Sequence, residues 1–402
     1  MWYQCGRALP VLRAFLQLGL TSFGGPVAHL GYFRRQFVDR RGWLTQAEFA
    51  ELVALCQFLP GPASSQVGIA IGLRRAGVLG ALAAWLGFTL PSALLLVACA
   101  RHLSLVGWSQ HAPWLQGLLI VAVAVVAQAV LTMGRQFCVG VARIALALVA
   151  AAICTLSPGG LTQIAVLAGA ALVGRWLPGT SSDGARLPTG QELDARSVRR
   201  RALACLLAFV VLLFGLPLAT AHNASHGLEL VTRFYRTGAL VFGGGHVVLP
   251  LLRAQVVPPG WISDTSFLAG YGLAQAVPGP LFSFAAYLGA AMQPPPNGWW
   301  GAAICLLAIY LPSFLLIGGV LPFWSMLRQQ AAVRAALGGV NAAVVGVLLS
   351  ALYRPVFVTA IHGVADFVAA LVALGLLAIV RLPSWAVLAL CVGYALLRAD
   401  GS

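Results

Sequence analysis

Apolar runs of about 20 residues alternate with short polar stretches along almost the whole chain, and runs of this length are typical of helices that cross a membrane. We place about thirteen such segments, at residues 15–33, 47–73, 76–100, 114–134, 143–157, 161–177, 202–220, 232–252, 265–292, 299–321, 334–353, 364–380 and 384–398. One longer polar stretch, residues 178–201, has the Gly-, Ser-, Asp- and Arg-rich composition of a flexible linker. The pattern predicts an all-α polytopic membrane protein.

Two of these segments contain a run that breaks a helix. Residues 57–65 read QFLPGPASS, and both Pro60 and Pro62 lack a backbone N–H and disfavour helix in the residue before them. The same signature returns in residues 275–283. Backbone groups freed at membrane depth cost several kcal/mol each unless protein, water or a ligand satisfies them. Two copies of so costly a feature indicate a functional site.

The two halves of the chain are repeats of each other. Matched in the same order are Phe23-Gly24-Gly25 with Phe242-Gly243-Gly244, Arg34 with Arg253, Trp43 with Trp261, Gln57 to Pro62 with Gln275 to Pro280, Pro91-Ser92 with Pro312-Ser313, and Arg135 with Arg354. We therefore predict a first repeat (1–177), a cytoplasmic linker (178–201), an extra span (202–220) and a second repeat (221–402). The extra span makes the number of intervening segments odd, so the second repeat enters the membrane in the opposite sense. Inverted-topology repeats with paired broken helices are typical of transporters, and the breaks mark the substrate site.

Composition excludes most other classes of protein. Of 402 residues, 60% are hydrophobic and 9% are charged, against about 25% charged in soluble domains. The net charge is +15, but no soluble basic domain is present to bind nucleic acid. The cysteines are scattered singly, so we predict neither a metal site nor a disulfide framework. We also predict no cofactor. The basic excess indicates contact with anionic lipid or an anionic substrate.

The distribution of arginines predicts the orientation in the membrane. A cytoplasmic N-terminus places most basic loops and the linker inside, as the positive-inside rule requires, and the C-terminus in the periplasm. The exceptions are Arg34, Arg35, Arg40 and Arg41. Either segment 15–33 only dips into the membrane, or these arginines serve an anion, and both readings stay open.

The motifs Phe23-Gly24-Gly25-Pro26, Trp43-Leu44 after an Arg-rich loop, and Gln57 to Pro62 resemble the CHR family of chromate ion transporters. The second copy, Phe242 to His246 and Gln275 to Pro280, resembles the second domain of that family's long, two-domain form. The resemblance implies an inner-membrane carrier that exports chromate, with related oxyanions such as sulfate handled by some members. The copies differ, since Leu281-Phe282 stands where the first has Ala63-Ser64.

Candidate residues of the substrate path lie at or near a break: the prolines interrupt the helix, and the others supply hydrogen-bond donors or positive charge. In the first repeat they are Gly24, Gly25, Pro26, Arg34, Gln57, Pro60, Gly61, Pro62, Ser64 and Ser65. In the second repeat they are Gly243, Gly244, Gly245, Arg253, Gln275, Pro278, Gly279, Pro280 and Ser283. The competing interpretations are close helix packing for the glycines and headgroup contact for the arginines.

Candidates for proton coupling are the titratable groups near membrane depth, Glu48, Glu51, His29, His246 and Asp264. The carboxylates also suit helix starts, and a lone histidine in a span often serves packing. Alternatives to chromate export are a transporter of sulfate or another divalent tetrahedral oxyanion, a membrane-embedded enzyme and a channel. A homodimer is one option for the assembly.

Overall fold

The computed structural model describes residues 2–23, 25–105, 113–157, 160–176, 196–222, 225–242, 247–324 and 330–400. Throughout these residues the regular elements are helices, which confirms the all-α prediction. The helices of the first repeat are α1 (Trp2–Thr21), α2 (Gly25–Arg34), α3 (Gln46–Phe58), α4 (Ala63–Leu105), α5 (Pro113–Phe137), α6 (Val141–Leu156) and α7 (Gly160–Gly174). A π-helix, Arg35–Arg40, continues α2.

The extra span and the second repeat follow. Their helices are α8 (Arg196–His222), α9 (His226–Leu240), α10 (Val248–Val256), α11 (Asp264–Ala276), α12 (Phe284–Ala291), α13 (Gly298–Val320), α14 (Ala331–Ala351), α15 (Val364–Gly375) and α16 (Ser384–Asp400). A 3₁₀ turn, Leu281–Ser283, precedes α12, and a π-helix, Leu376–Val380, extends α15. Among the described residues, five helices are long and apolar enough to cross a membrane.

The break at Pro60 and Pro62 is confirmed, and the chain reverses direction there. Helix α3 ends at Phe58 and α4 begins at Ala63. Glu48, at the start of α3, lies 3.9 Å from Arg74 on α4. Helix α4 then kinks at Ala76 and Gly77. Its short arm (63–75) runs back from the break to the level of Glu48, and its long arm (78–105) crosses the molecule. Segment 47–73 is therefore a re-entrant hairpin with its tip at Leu59–Pro62.

The preceding pair of helices reverses in the same way. Phe15 on α1 packs against Phe33 and Phe37 beyond the break at Ser22, with ring centroids 5.5 and 4.8 Å apart. Segment 15–33 thus dips into the molecule and turns back, which favours the first of the two readings of the exceptional arginines. Length and hydropathy could not reveal this reversal, because they report how long an apolar run is and not where it goes.

The second repeat builds the same two hairpins. Arg233 on α9 donates to the carbonyl of Gln255 at the end of α10 over 2.6 Å. Tyr287 on α12 donates to the carbonyl of Ser266 at the start of α11 over 3.3 Å. Both contacts join a helix before a break to the helix after it. The described residues therefore form four re-entrant hairpins, two in each repeat.

The crossing helices interlock the two repeats. Helix α5 of the first repeat packs on α15 and α16 of the second, and α14 of the second packs on α6 and α7 of the first. Close approach at glycines marks these seams: a Cβ on Gly117 would lie 2.5 Å from the Val392 Cα, and one on Gly346 would overlap the Ala147 carbonyl oxygen. In α8, only 6% of the most apolar stretch is buried, so most of its apolar surface is exposed in the described structure.

Candidate substrate site

The tips of the hairpins meet between the two repeats through a reciprocal pair of hydrogen bonds. The Gly61 N–H donates to the carbonyl of Val241 over 2.6 Å, and the Gly279 N–H donates to the carbonyl of Ser22 over 2.9 Å. Gly61 is equivalent to Gly279, and Ser22 to Val241, in the alignment of the repeats. A reciprocal pair of this kind is what a two-fold relation between two copies produces. Each repeat therefore completes the tip of the other.

Glycine is required at both tips. Gly61 has φ +123° and Gly279 has φ +115°, values that side-chain-bearing residues rarely adopt. A Cβ on Gly61 would lie 2.9 Å from Ser313 Oγ, and one on Gly279 would lie 2.8 Å from Ser92 Oγ. Ser92 and Ser313 are themselves equivalent, so each tip rests on a crossing helix of the other repeat.

Buried polar side chains concentrate around these tips. Among the described residues fourteen polar or charged side chains are buried, and nine of them lie at the tips or on the helices behind them. We call these nine the tip cluster: Ser22, His29, Ser64, Ser65, Gln66, Thr89, Ser92, Ser283 and Ser313. Its members are hydroxyls, one amide and one imidazole, with neither an arginine nor a carboxylate, so the cluster supplies neutral hydrogen-bonding groups.

His29 connects the two halves of the tip cluster. Its Nε2 lies 3.3 Å from the carbonyl oxygen of Ser22, which also accepts from Gly279. Its Nδ1 lies 3.4 Å from Ser64 Oγ. Three consecutive contacts thus lead from the second Pro-Gly-Pro tip to the first, and the imidazole is their link.

Gln66 and Tyr310 complete the first-repeat side of the cluster. Gln66 Nε2 donates to the carbonyl of Pro60 over 2.6 Å, which satisfies a backbone group that the break exposes. Ser65 Oγ lies 3.5 Å from the hydroxyl of Tyr310 on α13. Sequence reasoning missed both residues. The available signal was a polar side chain in the first turn of an apolar helix for Gln66; for Tyr310 we see none.

The second-repeat tip is more apolar. Phe282 and Phe284 stand at the positions of Ser64 and Gln66, and both are buried. The remaining hydroxyl, on Ser283, donates to the carbonyl of Pro280 over 2.6 Å and so serves the turn itself. The polar chemistry of the cluster therefore lies mainly on the first-repeat side.

Part of the tip cluster has unused hydrogen-bonding capacity. Ser22 Oγ, Gln66 Oε1 and Thr89 Oγ1 are buried without a hydrogen-bond partner among the described residues. Buried polar atoms normally have a partner, and leaving one unpaired costs about 1–3 kcal/mol. Helix α4 also begins at its tip, with the positive end of its dipole facing the cluster. Hydroxyl donors, backbone N–H groups and a helix start can together hold a small anion.

The arginines predicted for the site lie elsewhere. Arg34 is exposed on α2, toward the base of its hairpin. Arg253 forms a bidentate pair with Asp264, with Nε–Oδ1 and Nη2–Oδ2 distances of 2.6 and 2.8 Å. This pair ties the base of the α9–α10 hairpin to that of α11–α12. The structure brings neither arginine to the tip cluster.

The other predicted residues divide into three groups. Gln57 is exposed, while Gln275 is half-buried and has a partner. Glu48 closes a capping box with Thr45 at the start of α3, and Glu51 is half-buried with a partner of its own. Outside the described residues lie Gly24, Gly243, Gly244, Gly245 and His246.

Gly25 and Pro26 open α2 at the Ser22 tip, and Gly25 has φ +78°. Pro62 is buried directly before α4, whereas Pro278 is half-buried and Pro280 is buried before the 3₁₀ turn. These positions confirm that both Pro-Gly-Pro runs end one helix and precede the next.

Interlocked repeats whose broken helices meet at a buried polar cluster define a membrane transporter. Comparison with known proteins gives the family. The model of the chromate transporter family matches residues 9–175 and again residues 228–396. The chain belongs to this family, and the two matches fall on the two predicted repeats.

Individual relatives agree with the family assignment. The chain is 31% identical over 350 residues to a chromate transport protein of Pseudomonas aeruginosa, which covers 83% of this chain and 77% of that protein. It is 28% identical over 370 residues to a chromate transport protein of Cupriavidus metallidurans, covering 90% of this chain and 84% of that protein. It is 25% identical over 351 residues to an uncharacterized transporter of Methanocaldococcus jannaschii, covering 86% and 84%. No solved structure matches the chain significantly.

Proposed function

We propose that this protein exports chromate from the cytoplasm across the inner membrane and thereby confers chromate resistance. The observation that carries the proposal is the pair of reciprocal tip bonds, Gly61 to Val241 and Gly279 to Ser22, closing over a buried polar cluster in a chain of this family. Relatives that cover most of the chain are named chromate transport proteins. The protein acts as a carrier and has no catalytic step.

The tip cluster suits an anion that must bind and leave again. A dianion that leaves water needs several donors, because an unpaired buried charge is heavily penalised. Ser22, Ser64 and Thr89 offer hydroxyls, and the start of α4 adds a partial positive charge. Fixed arginines at the same point would hold a dianion tightly and slow its release. Neutral donors inside the membrane therefore favour transport over permanent binding.

The alternative substrate is sulfate or another divalent tetrahedral oxyanion. Chromate and sulfate share shape and charge, and a cluster of hydroxyls and backbone donors recognises both properties in the same way. For coupling we retain Glu48, Glu51, His29, His246 and Asp264. His29 has the most direct geometry, because its ring touches both Ser22 and Ser64 inside the cluster.

The test of substrate and direction is chromate flux in inverted membrane vesicles from cells that express the protein. We expect concentrative, saturable uptake into the vesicles, which corresponds to export from the cell. Imposing and then collapsing a pH gradient tests proton coupling, and excess sulfate tests the alternative substrate. Uptake of sulfate with no uptake of chromate would replace the proposed substrate, and uptake only into right-side-out vesicles would reverse the direction.

The proposed orientation places the N-terminus and the linker in the cytoplasm and the C-terminus in the periplasm. Its support is the reversal of the first two hairpins, which brings the bases of α2 and α3 to one side. The guanidinium groups of Arg41 and Arg75 lie 5.3 and 5.2 Å from the same Trp43 ring. The exceptional arginines therefore join Arg74 and Arg75 on the side that the positive-inside rule assigns to the cytoplasm.

Reporter fusions test this orientation. Fusions at Asp183 and at Ser402 should report opposite compartments, cytoplasmic for the first and periplasmic for the second. The same signal at both positions would contradict the inverted relation of the repeats.

For the assembly, we propose that α8 contacts lipid and that two copies associate as a homodimer. Exposed apolar side chains cover α8, among them Leu207, Phe214 and Leu218. The mass of the protein in lipid nanodiscs distinguishes a dimer from a monomer.

A further inference from the structure

A groove of about 1130 Å³ opens between the two repeats on one side of the molecule. Its walls are α5 of the first repeat and, from the second repeat, α15 with its π-helical extension and the start of α16. Gln128 and Thr132 on α5 add polar groups to these walls, as does Ser384 at the start of α16. The groove therefore lies on a seam where the repeats interlock.

Two arginines line the groove, one from each repeat. Arg135 comes from the last turn of α5, and Arg381 joins the π-helix to α16. The described lining residues include no Asp or Glu. Within the part of the chain that the structure describes, neither guanidinium forms an ion pair. The groove thus carries uncompensated positive charge.

The groove reaches inward to the tips. Its lining includes Phe23, which follows Ser22 in the chain. The carbonyl of Ser22 accepts a hydrogen bond from the Gly279 N–H and lies beside His29. Tyr32 on α2 also lines it. An anion that enters past the arginines therefore meets the edge of the tip cluster.

The pseudo-equivalent seam on the other side is closed. There α6 and α14 run side by side, and the hydroxyls of Thr155 and Ser350 lie 2.9 Å apart. The equivalent positions are Leu374 and Leu131, and both of these line the groove. Helix α5 and the π-helical extension of α15 also touch, since Gln128 Nε2 donates to the carbonyl of Leu377 over 3.1 Å, but Leu131 and Leu374 stand beside a groove, whereas Thr155 and Ser350 meet directly. The groove therefore opens the molecule on this side.

The groove lies on the side that the proposed orientation assigns to the cytoplasm. The long arm of α4 starts beside the hairpin bases of the first repeat and crosses away from them, and α5 crosses back. Arg135, near the end of α5, is therefore on the same side as Arg74 and Arg75.

We propose that this groove is the cytoplasmic entrance of the substrate path, where Arg135 and Arg381 capture a tetrahedral oxyanion before it passes to the tip cluster. This inference rests on the proposed transport of an oxyanion. A planar guanidinium donates two parallel hydrogen bonds to such an anion, and positive charge in a cleft raises the local anion concentration. The positive charge at the mouth captures the anion, and the neutral donors at the centre let it pass on.

The test is the initial rate of chromate uptake into inverted vesicles as a function of chromate concentration outside, which is the cytoplasmic face. Arg135→Gln and Arg381→Gln should each raise KM by about 3- to 10-fold and leave the saturating rate nearly unchanged, since each removes a partly exposed charge-assisted contact. The increase should shrink at high ionic strength because salt screens the lost charge.

Two further variants guard against misfolding and loss of charge elsewhere. Arg381 has φ +63°, a conformation that glycine adopts without strain, so Arg381→Gly removes the side chain and keeps the backbone. It should raise KM as Arg381→Gln does. Arg354→Gln is the matched control, because Arg354 is the equivalent of Arg135 on the closed side; it should leave the KM from the cytoplasmic face unchanged.

A phosphate of an anionic lipid headgroup is the other source of the same chemistry. Proteoliposomes of phosphatidylcholine alone, and with phosphatidylglycerol added, separate the two. An equal KM effect of Arg135→Gln in both membranes supports a free oxyanion. An effect seen only with phosphatidylglycerol assigns the arginines to lipid and overturns the inference.

The remaining outcomes separate this inference from the proposed function. If the unmodified protein transports chromate and all groove variants match it, the groove is not the entrance. If the unmodified protein transports neither chromate nor sulfate, the proposed function fails, and equilibrium binding of labelled sulfate to purified protein still tests the groove. Equal sulfate binding by the Arg135→Gln protein would then overturn the inference.

Discussion

The two Pro-Gly-Pro tips share a backbone frame and differ in their side chains. Gly61 and Gly279 have nearly equal φ values, and each donates to the first hairpin of the other repeat. Around this frame the first repeat places Ser64 and Gln66 where the second places Phe282 and Phe284. After duplication the frame had to stay symmetric, because each tip completes the other. The side chains were free to diverge, and the polar side chains now lie mainly in the first repeat.

The hairpin bases differ in a complementary way. In the second repeat Arg253 is held by Asp264, so its charge is already paired. In the first repeat the position equivalent to Asp264 is Gln46, and Arg34 is exposed. The second repeat uses Arg253 to fasten two hairpins together, whereas the first leaves the equivalent Arg34 exposed.

The largest expected effect breaks the symmetric frame. Gly61→Ala and Gly279→Ala should be equally severe, since each combines a positive φ with a close contact, for a cost of about 2–5 kcal/mol. We expect little correctly folded protein from either variant, measured as the monodisperse fraction of a fluorescent fusion in size-exclusion chromatography.

Gly31→Ala is the control for this pair. A Cβ at Gly31 meets no heavy atom of the described residues within 4 Å, and alanine favours helix. Near-normal yield from only one of the two tip variants would show that the frame is not symmetric.

The next effect concerns the divergent side chains. Replacing Ser64 and Ser65 together by Ala should reduce chromate transport at low concentration by roughly 10- to 100-fold, the loss of one charge-assisted hydrogen bond or more. Ser283→Ala should have a smaller effect, because that hydroxyl already serves the Pro280 carbonyl. The measurement is chromate flux at matched expression. Equal losses in the two variants would mean a symmetric site.

A smaller effect separates the two hairpin bases. Arg253→Ala leaves Asp264 without its partner and should lower stability by up to about 1 kcal/mol, the value expected for a partly exposed ion pair. Arg34→Ala should leave stability unchanged, because Arg34 is exposed on α2. Melting temperature and flux are measured for both. Removing Asp264 together with Arg253 should restore part of the stability, and a further loss would contradict the role given to the pair.

The sequence predicted the breaks but not the path of the chain around them. Pro60, Pro62 and their equivalents predict a broken helix from the local sequence alone, because proline lacks a backbone N–H. The reversal is defined by the contact between Glu48 and Arg74, which lie at the two ends of one apolar run. The partners of the tips could not be predicted either, because Gly61 bonds to Val241 across the repeats and no local pattern encodes such a pairing.

The candidate site was predicted only in part, because local signals mark the residues next to a break but not those that packing brings to it. Ser64 and Ser65 lie next to a recognisable break, and their burial in the tip cluster follows from that position. Thr89 and Tyr310 are single polar groups in long apolar helices, and only the packing of one repeat against the other brings them to the tips. We predicted Arg34 and Arg253 as site residues because they occupy equivalent positions in the two repeats. In the structure these equivalent positions lie at the hairpin bases and not at the tips.

The smallest expected effect tests the comparison between the closed seam and the groove. Thr155→Val removes the hydroxyl that meets Ser350 and preserves shape, so the closed seam should open more often by about 2- to 10-fold, the worth of one ordinary hydrogen bond. The reverse change, Leu131→Ser with Leu374→Thr, installs the same pair of hydroxyls at the groove and should close it more often.

The measurement uses Thr132→Cys, which places a thiol within the groove. A membrane-impermeant maleimide is added to the cytoplasmic face, and the reaction rate of this thiol is measured. The same protein without Thr132→Cys is the control. Thr155→Val should slow the reaction, because a molecule that opens on the far side closes the groove, and the installed pair should slow it as well. Two states linked in this way cannot both be open, so a ligand or bond that favours one must deplete the other. A faster reaction in the Thr155→Val protein would mean that the two seams open together, and the protein would then conduct as a channel instead of alternating between its faces.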